Sequence, residues 1–179
     1  MELIKLFFVG ATGYLLAGLY DVAIIHNKPL LTKIFYVGFF ITAIPYLILF
    51  KTWKTPFNTF SLWIFIPLLV IFIGLLIYSV LLEFLLSSEK PGNLYTKGTY
   101  SFSRHPGFIW YTAINVLLGI YFWNPRIALL CWGFTLCNLI LITVEDRVFF
   151  PKMFPLYAEY RKQTPFFLSL QKKSNRRIL

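Results

Sequence analysis

Charged residues are scarce in this sequence: they make up 13% of the 179 residues, and only 7 residues are acidic. A soluble domain is about 25% charged, so this chain has too little polar surface for a water-soluble or disordered protein. The net charge of +10 does not indicate a nucleic-acid partner, because such proteins also need a hydrated surface. Since 58% of the residues are hydrophobic, we expect a single-domain integral membrane protein surrounded by membrane lipids.

Cysteine and histidine are also rare, with two of each. Cys131 and Cys137 share one apolar run at a spacing that places them on different faces of a helix. We therefore expect them to be packing residues, and we expect no metal site. No small-residue cleavage site follows the first apolar stretch, so that stretch is expected to remain as a membrane span.

Apolar runs long enough to cross a bilayer, about 20 residues, predict the fold. We expect an all-α, polytopic membrane protein with about five transmembrane helices. Its spans are Leu6–Ile25, Ile34–Phe50, Phe60–Leu82, Pro106–Phe122 and Ile127–Val144. The third span is expected to run on towards Ser88 and to carry Glu83 into water. The short connection Trp123-Asn124-Pro125-Arg126 predicts that the last two spans form an antiparallel hairpin.

The distribution of basic residues predicts the orientation. Lys5, Lys51, Lys54 and Arg126 fall on one side of the five spans, and the other 13 of the 17 Lys and Arg residues fall on the opposite side. The positive-inside rule then places the C-terminus in the cytoplasm and the N-terminus across the membrane.

Residues beyond the last span are expected to lie at the membrane surface. Pro151–Gln163 predicts a short cytoplasmic amphipathic helix, with Tyr157 and Tyr160 as interfacial anchors. The chain then divides into three N-terminal spans (1–88), a loop, hairpin and C-terminal helix (89–167) and a basic tail (168–179).

Two polar clusters flank the predicted hairpin on its cytoplasmic side. In the first, Pro106 suits the first turn of a helix with Ser103 or His105 near its cap, and the N–H groups of Gly107 and Phe108 are expected to be able to receive an anion. Arg104 adds positive charge beside them. Gly92 and Gly98 allow close backbone approach in the preceding loop.

The second cluster is the pair Glu145-Asp146 at the end of the fifth span. Adjacent carboxylates at the negative end of a helix dipole need a cation nearby, and Arg104, Arg147 or a cationic ligand would provide it. Because the hairpin is short, both clusters are expected to meet. One site would then offer donors for an anion and carboxylates for a cation, which matches a zwitterionic cofactor.

The order of these motifs resembles a known enzyme family. The segment G-T-Y-x-x-x-R-H-P-G-F, then E-D, then Y-x-x-Y-x-x-x-x-P (Tyr157, Tyr160 and Pro165) is similar to the integral-membrane methyltransferases that include isoprenylcysteine carboxyl methyltransferases and phospholipid N-methyltransferases. The resemblance covers roughly Lys90–Pro165. It implies a cofactor, S-adenosylmethionine, bound on the cytoplasmic side.

The resemblance also implies roles for individual residues. Gly92, Asn93, Leu94 and Tyr95 would line the cofactor loop, and Glu145 would meet the polar end of the cofactor. The nucleoside and methionine portions would be held by Tyr100, His105, Pro106, Gly107 and Phe108. Arg104, Glu145 and Asp146 are the candidate catalytic residues, and Glu145, Asp146 or His105 would be the base if the acceptor needs one.

Acceptor and oligomeric state are not specified by these motifs. Leu141 stands one helical turn before Glu145, where the prenylcysteine enzymes carry an arginine that serves the substrate carboxylate. We therefore expect methyl transfer to a lipophilic or lipid acceptor that is either a carboxylate or an amine. The alternatives are an NADPH-dependent membrane reductase of the sterol-reductase type, which the brevity of the chain disfavours, and a non-enzymatic membrane scaffold.

Overall fold

Long apolar helices dominate the computed structural model, which describes residues 2–83 and 93–168. Helix α1 is Glu2–Ile25, α5 is Thr59–Ile77, α6 is Pro106–Phe122 and α7 is Pro125–Val144. Four segments are long and apolar enough to cross a membrane, namely Glu2–Ile25, Pro29–Thr52, Ser61–Leu82 and Pro125–Met153, and Pro106–Phe122 is a shorter apolar helix. The protein is therefore an all-α, polytopic integral membrane protein, as expected.

The second span is broken into three pieces: α2 (Pro29–Phe35), α3 (Val37–Ile41) and α4 (Ile44–Thr52). Pro45 lies in the first turn of α4, where its missing N–H costs nothing. Pro45 therefore begins a new helix within the segment predicted as one span. Gly38 of α3 packs directly on α1, since an added Cβ would lie 2.8 Å from the Gly13 carbonyl oxygen.

The hairpin of α6 and α7 is confirmed. Trp123 ends α6 in the left-handed conformation at φ 45°, and the Asn124 side chain caps α7 by accepting from the N–H groups of Arg126 and Ile127. The turn is thus only two residues long, which makes α6 and α7 antiparallel neighbours.

Aromatic and branched side chains fill the centre of the bundle. Phe134 of α7 is almost fully buried and lies over Gly10 of α1, where an added Cβ would stand 2.2 Å from the ring. Cys131 packs in the same core with Leu49 and Leu118. Cys131 is buried, Cys137 is half-buried and both are free thiols, as expected for packing residues.

Beyond Val144 the chain departs from the expected single amphipathic helix. A π-helical turn, Glu145–Phe149, continues α7 and is followed by α8 (Phe150–Met153) and α9 (Tyr157–Gln163). The two short helices are separate because Phe154, which precedes Pro155, is extended at φ −125° and ψ 109°. A residue before proline disfavours the helical conformation. Gly92 and the basic tail from residue 169 onward lie outside the described residues.

Candidate functional site

The end of the bundle where α1 finishes, α6 begins and α7 finishes carries the polar residues; we call it the Glu145 end. A short segment after α9 closes it. The Arg104 N–H donates to the Pro165 carbonyl at 3.0 Å, and the Ser103 hydroxyl donates to the Phe166 carbonyl at 3.2 Å. The Phe166 ring lies 4.8 Å from that of His105. Residues 164–167 therefore cover the start of α6.

Asp146 is the centre of a buried cluster and is only 2% exposed. Its Oδ1 accepts from Arg104 Nη1 at 2.6 Å and from the Tyr157 hydroxyl at 2.6 Å. The Arg161 Nε lies 3.7 Å from Oδ2. Arg104 is thus the cation expected beside the acidic pair, while Arg147 is exposed. Because Asp146 Oδ1 accepts from two side chains of the protein, Asp146 holds Arg104 and Tyr157 in place in this structure.

Tyr157 and Tyr160, expected as anchors at the membrane interface that pack the terminal helix, do pack this helix, against the protein interior. Both side chains are buried, and the Tyr160 hydroxyl donates to the Tyr100 carbonyl at 2.6 Å. Burial, followed by the hydrogen bond to Asp146, raises the pKa of Tyr157, and burial also raises the pKa of Tyr160. Both tyrosines therefore stay neutral donors that fix α9 against the site.

The expectation that Glu83 lies in water is wrong. It is 4% exposed and accepts from the Thr99 N–H at 2.6 Å and from the Thr99 hydroxyl. Gly98 makes this contact possible: its φ is +54°, and a Cβ there would lie 1.5 Å from Glu83 Oε1. Burial and then the Glu83 carboxylate raise the pKa of Tyr100 to about 12.

A cavity of about 270 Å³ opens between these elements and the spans. It brings together most of the residues singled out from the sequence. Its walls include Tyr100, Arg104, His105, Pro106, Gly107, Phe108 and Glu145. Tyr14 of α1, Tyr111 of α6 and Asn138 of α7 complete the wall towards the membrane interior. The meeting of the two polar clusters predicted from the short hairpin is therefore confirmed.

Two nitrogen atoms on this wall have no hydrogen-bond partner among the described residues. They are Arg104 Nε and His105 Nε2, on side chains that are 9% and 6% exposed. The His105 ring is stacked on Phe150 at 5.9 Å, and its Nε2 lies 3.5 Å from Asp146, a long separation for a hydrogen bond. Buried polar atoms in native proteins are normally paired, so Arg104 Nε and His105 Nε2 are candidates for contact with a ligand in the cavity.

Glu145 faces a residue that the sequence analysis left without a role. Gly18 of α1 approaches Leu141 of α7, where an added Cβ would stand 3.4 Å from Leu141 Cδ1, so Asp21 and Glu145, each about one turn further along its helix, lie beside each other. Two carboxyl groups come together only when a proton or a cation lies between them. Asp21 is an acidic residue in the last turns of a membrane-spanning helix, which by itself marks it as a functional candidate.

Other predicted site residues lie apart from the cavity. Asn93, Leu94 and Tyr95 are described but do not line it, and Tyr95 packs edge-on against Tyr100 at 5.9 Å.

The Phe108 N–H was expected to receive an anion, but it donates to the His105 carbonyl at 3.1 Å. The ring of Phe108 still faces the cavity and stacks on Phe167 at 5.3 Å.

The sequence does not predict the network of tyrosine hydroxyls that lies between the spans. The Tyr14 and Tyr46 hydroxyls both bond to that of Tyr111, and Tyr46 also donates to Asn115 Oδ1 at 2.9 Å. These tyrosines belong to three different spans, so their sequence spacing gives no sign of the contact. The network places polar groups at the inner end of the cavity.

Comparison with known proteins adds no further identification. No family model, no curated protein and no solved structure matches this chain. The class of the protein is therefore defined by its own fold and site: an integral membrane protein of α-helices with a polar cavity at one end.

Proposed function

We propose that this protein is a membrane methyltransferase that uses S-adenosylmethionine and acts on a lipophilic carboxylate or amine. The observation that carries the proposal is a single cavity with unpartnered nitrogen atoms of Arg104 and His105 on its wall and the Glu145 carboxyl on the same wall. A zwitterionic amino-acid group needs this combination of donors for its carboxylate and an acceptor for its ammonium group.

The chain's own residues suit each part of such a cofactor. The Arg104 guanidinium and His105 imidazole would hold the carboxylate, and Glu145 would hold the ammonium group. Tyr100 and Phe108 offer aromatic surfaces in the same cavity for the nucleoside, as the resemblance implies. When bound, the cofactor supplies a methyl group that is already electrophilic because it is carried by a sulfonium.

Catalysis then consists mainly of positioning the acceptor and excluding water. The segment 164–167 is suited to exclude water because Phe166 and Phe167 cover His105 and Phe108. Asp146 would act as a positioning residue that holds Arg104. We propose that this site faces the cytoplasm, because the predicted spans assign 13 of the 17 basic residues to its side of the membrane and the soluble cofactor is supplied there.

Ligand titration of the purified full-length protein in detergent tests the proposal against its rivals. Thermal unfolding is followed with increasing S-adenosylhomocysteine or with NADPH. Ligand at about 100 times its Kd stabilises a protein by about 2.7 kcal/mol, which in a chain of this size raises the Tm by roughly 5–10 °C. We expect stabilisation by S-adenosylhomocysteine alone. Stabilisation by NADPH alone would favour the reductase, and stabilisation by neither would favour the scaffold.

A variant localises the binding. His105→Phe preserves the aromatic packing between Phe150 and Phe166 and removes the unpartnered nitrogen. We expect the affinity for S-adenosylhomocysteine to fall about tenfold, as for loss of a hydrogen bond to a charged group. His26→Phe, in the exposed turn after α1, is the matched control. Equal affinities for the two variants would remove His105 from the cofactor site.

A further inference from the structure

An apolar groove of about 380 Å³ adjoins the cavity on the membrane side. It runs between α1 and α7, where Leu15 and Leu19 face Ile140 and Val144. Tyr14 and Leu141 line both the groove and the cavity. A lipid chain lying in this groove would therefore have its polar end beside the proposed cofactor site.

The groove is open because of Gly18, which lies between Tyr14 and Val22 on the α1 side of the groove. A Cβ at this position would stand 3.4 Å from Leu141 Cδ1, so any longer side chain would occupy the groove. The groove thus depends on a residue without a side chain at the point where α1 and α7 approach each other.

The carboxyl pair lies at the Glu145 end of the groove. Asp21 follows Gly18 by about one turn on α1, and Glu145 follows Leu141 by about one turn on α7. Of the described residues that line the groove, none is basic. In the adjoining cavity, the Arg104 guanidinium is already paired with Asp146. The meeting point of groove and cavity therefore offers carboxyl groups and no basic side chain on the groove wall, and the complement of these groups is a cation on a hydrophobic chain.

We propose that the methyl acceptor is a lipophilic amine, which enters the groove from the bilayer and presents its nitrogen to Asp21, beside the Glu145 carboxyl group that would hold the cofactor. The inference rests on the proposed function and narrows the acceptor from carboxylate or amine to amine. It also gives Asp21 a role as the acceptor-binding residue. A carboxylate acceptor would meet two carboxyl groups, and Leu141 offers it no counter-charge.

The chemistry of transfer to an amine requires a proton acceptor at this place. An ammonium group has no lone pair, so it must first give one proton to Asp21. The nitrogen lone pair then forms the new N–C bond to the methyl group, and the C–S bond breaks with its electron pair going to sulfur, which leaves a neutral thioether. The product is a methylated ammonium, and the proton held by Asp21 is released to water. A carboxylate acceptor would need no such base.

Two measurements on the full-length protein in lipid nanodiscs test the proposal. The first is photocrosslinking by a diazirine-bearing hexadecylamine, compared with the fatty acid of the same chain length, with sites of attachment found by mass spectrometry. The second is transfer of a labelled methyl group to hexadecylamine or to palmitate. Both are made on the wild type, on Asp21→Asn and on Glu159→Gln, an exposed acidic residue of α9 that serves as the control.

We expect the amine, and not the acid, to crosslink to α1 and α7 and to accept the methyl group. Asp21→Asn should reduce both signals by about tenfold or more, as for loss of a charged hydrogen-bond partner, with the affinity for S-adenosylhomocysteine unchanged. Gly18→Leu should also abolish both signals. Gly119→Leu, at a glycine with similar clearance, 3.5 Å from Ala128 Cβ, should leave them unchanged.

The outcomes separate this inference from the proposed function. Methylation of palmitate alone, methylation of neither compound, or equal crosslinking by both overturns the amine assignment while S-adenosylhomocysteine binding still supports a methyltransferase. A full amine signal in Asp21→Asn overturns the role of Asp21. If S-adenosylhomocysteine does not bind at all, the proposed function fails, and with it this inference.

Discussion

Substitutions of the two neighbouring acidic residues at the end of α7, Glu145 and Asp146, are predicted to have different effects on folding and on cofactor binding. Asp146 is buried and accepts from Arg104 and Tyr157 at 2.6 Å each. Glu145 lines the cavity and lies beside Asp21, about one turn beyond the approach of Gly18 to Leu141. Asp146→Asn should therefore destabilise the fold, and Glu145→Gln should leave the fold intact and weaken cofactor binding.

The magnitudes follow from the contacts. Removing one partner of a buried ion pair costs about 3–5 kcal/mol, and asparagine retains one acceptor oxygen, so the lower value applies to Asp146→Asn. About 3 kcal/mol lowers the Tm of a chain of this size by roughly 6–12 °C. Glu145→Gln removes no donor from a partner and relieves repulsion with Asp21, so its Tm should stay within about 2 °C of wild type.

The assay is thermal unfolding in detergent, followed by equilibrium binding of S-adenosylhomocysteine at a temperature where every variant is folded. Glu159→Gln is the control for loss of one acidic charge on an exposed surface. We expect Glu145→Gln to bind about tenfold or more weakly. This reasoning is refuted if the Tm of Asp146→Asn equals that of the wild type. It is also refuted if the Tm of Glu145→Gln is as low as that of Asp146→Asn. Unchanged affinity in Glu145→Gln would remove Glu145 from the cofactor site.

Three further predictions concern the frame around the site. Gly98→Ala should cost about 2–4 kcal/mol, from the positive φ and the displaced Glu83 carboxylate, whereas Gly74→Ala, with no atom within 4 Å of the added Cβ, should be neutral or stabilising by thermal unfolding. Tyr111→Phe should cost about 1–3 kcal/mol, because it leaves the Tyr14 hydroxyl without its partner while Tyr46 keeps its bond to Asn115, and it should cost more than Tyr121→Phe on the same helix; equal costs would mean that the network contributes nothing. A membrane-impermeant maleimide applied to intact cells should label Lys54→Cys and not Asn93→Cys, and the reverse pattern would overturn the orientation.

Most of the fold could be predicted from the sequence because spans are selected by length and hydropathy. The hairpin was also predictable, since Trp123-Asn124-Pro125 leaves no room for any other connection. The breaks within the second span were not, because length and hydropathy do not distinguish one continuous helix from three consecutive shorter ones. Glu83 was misplaced because a polar residue near a span end is assigned to water unless its partner is known.

The site was predictable where its residues are adjacent in sequence and not where they meet across helices. Arg104, His105 and Glu145 belong to recognisable motifs, and the short hairpin places them together. Asp21 is more than a hundred residues from Glu145, and no motif surrounds it. The sequence indicates a function for Asp21 only because an ionisable residue inside a membrane span is energetically unfavourable. It does not indicate which residue Asp21 interacts with.

Because acidic residues are few in this chain, their positions in the structure are informative about function. Asp21, Glu83, Glu145 and Asp146 gather at one end of the bundle, although burying a carboxylate is unfavourable unless it is paired. Glu83 is balanced by Thr99, and Asp146 by Arg104 and Tyr157. Asp21 and Glu145 lie beside each other at this end, and neighbouring carboxylates repel each other unless a proton or a cation lies between them. In our proposal the cationic groups of the cofactor and the acceptor remove this repulsion, and the adjoining apolar groove favours an acceptor that carries its cation on a hydrophobic chain.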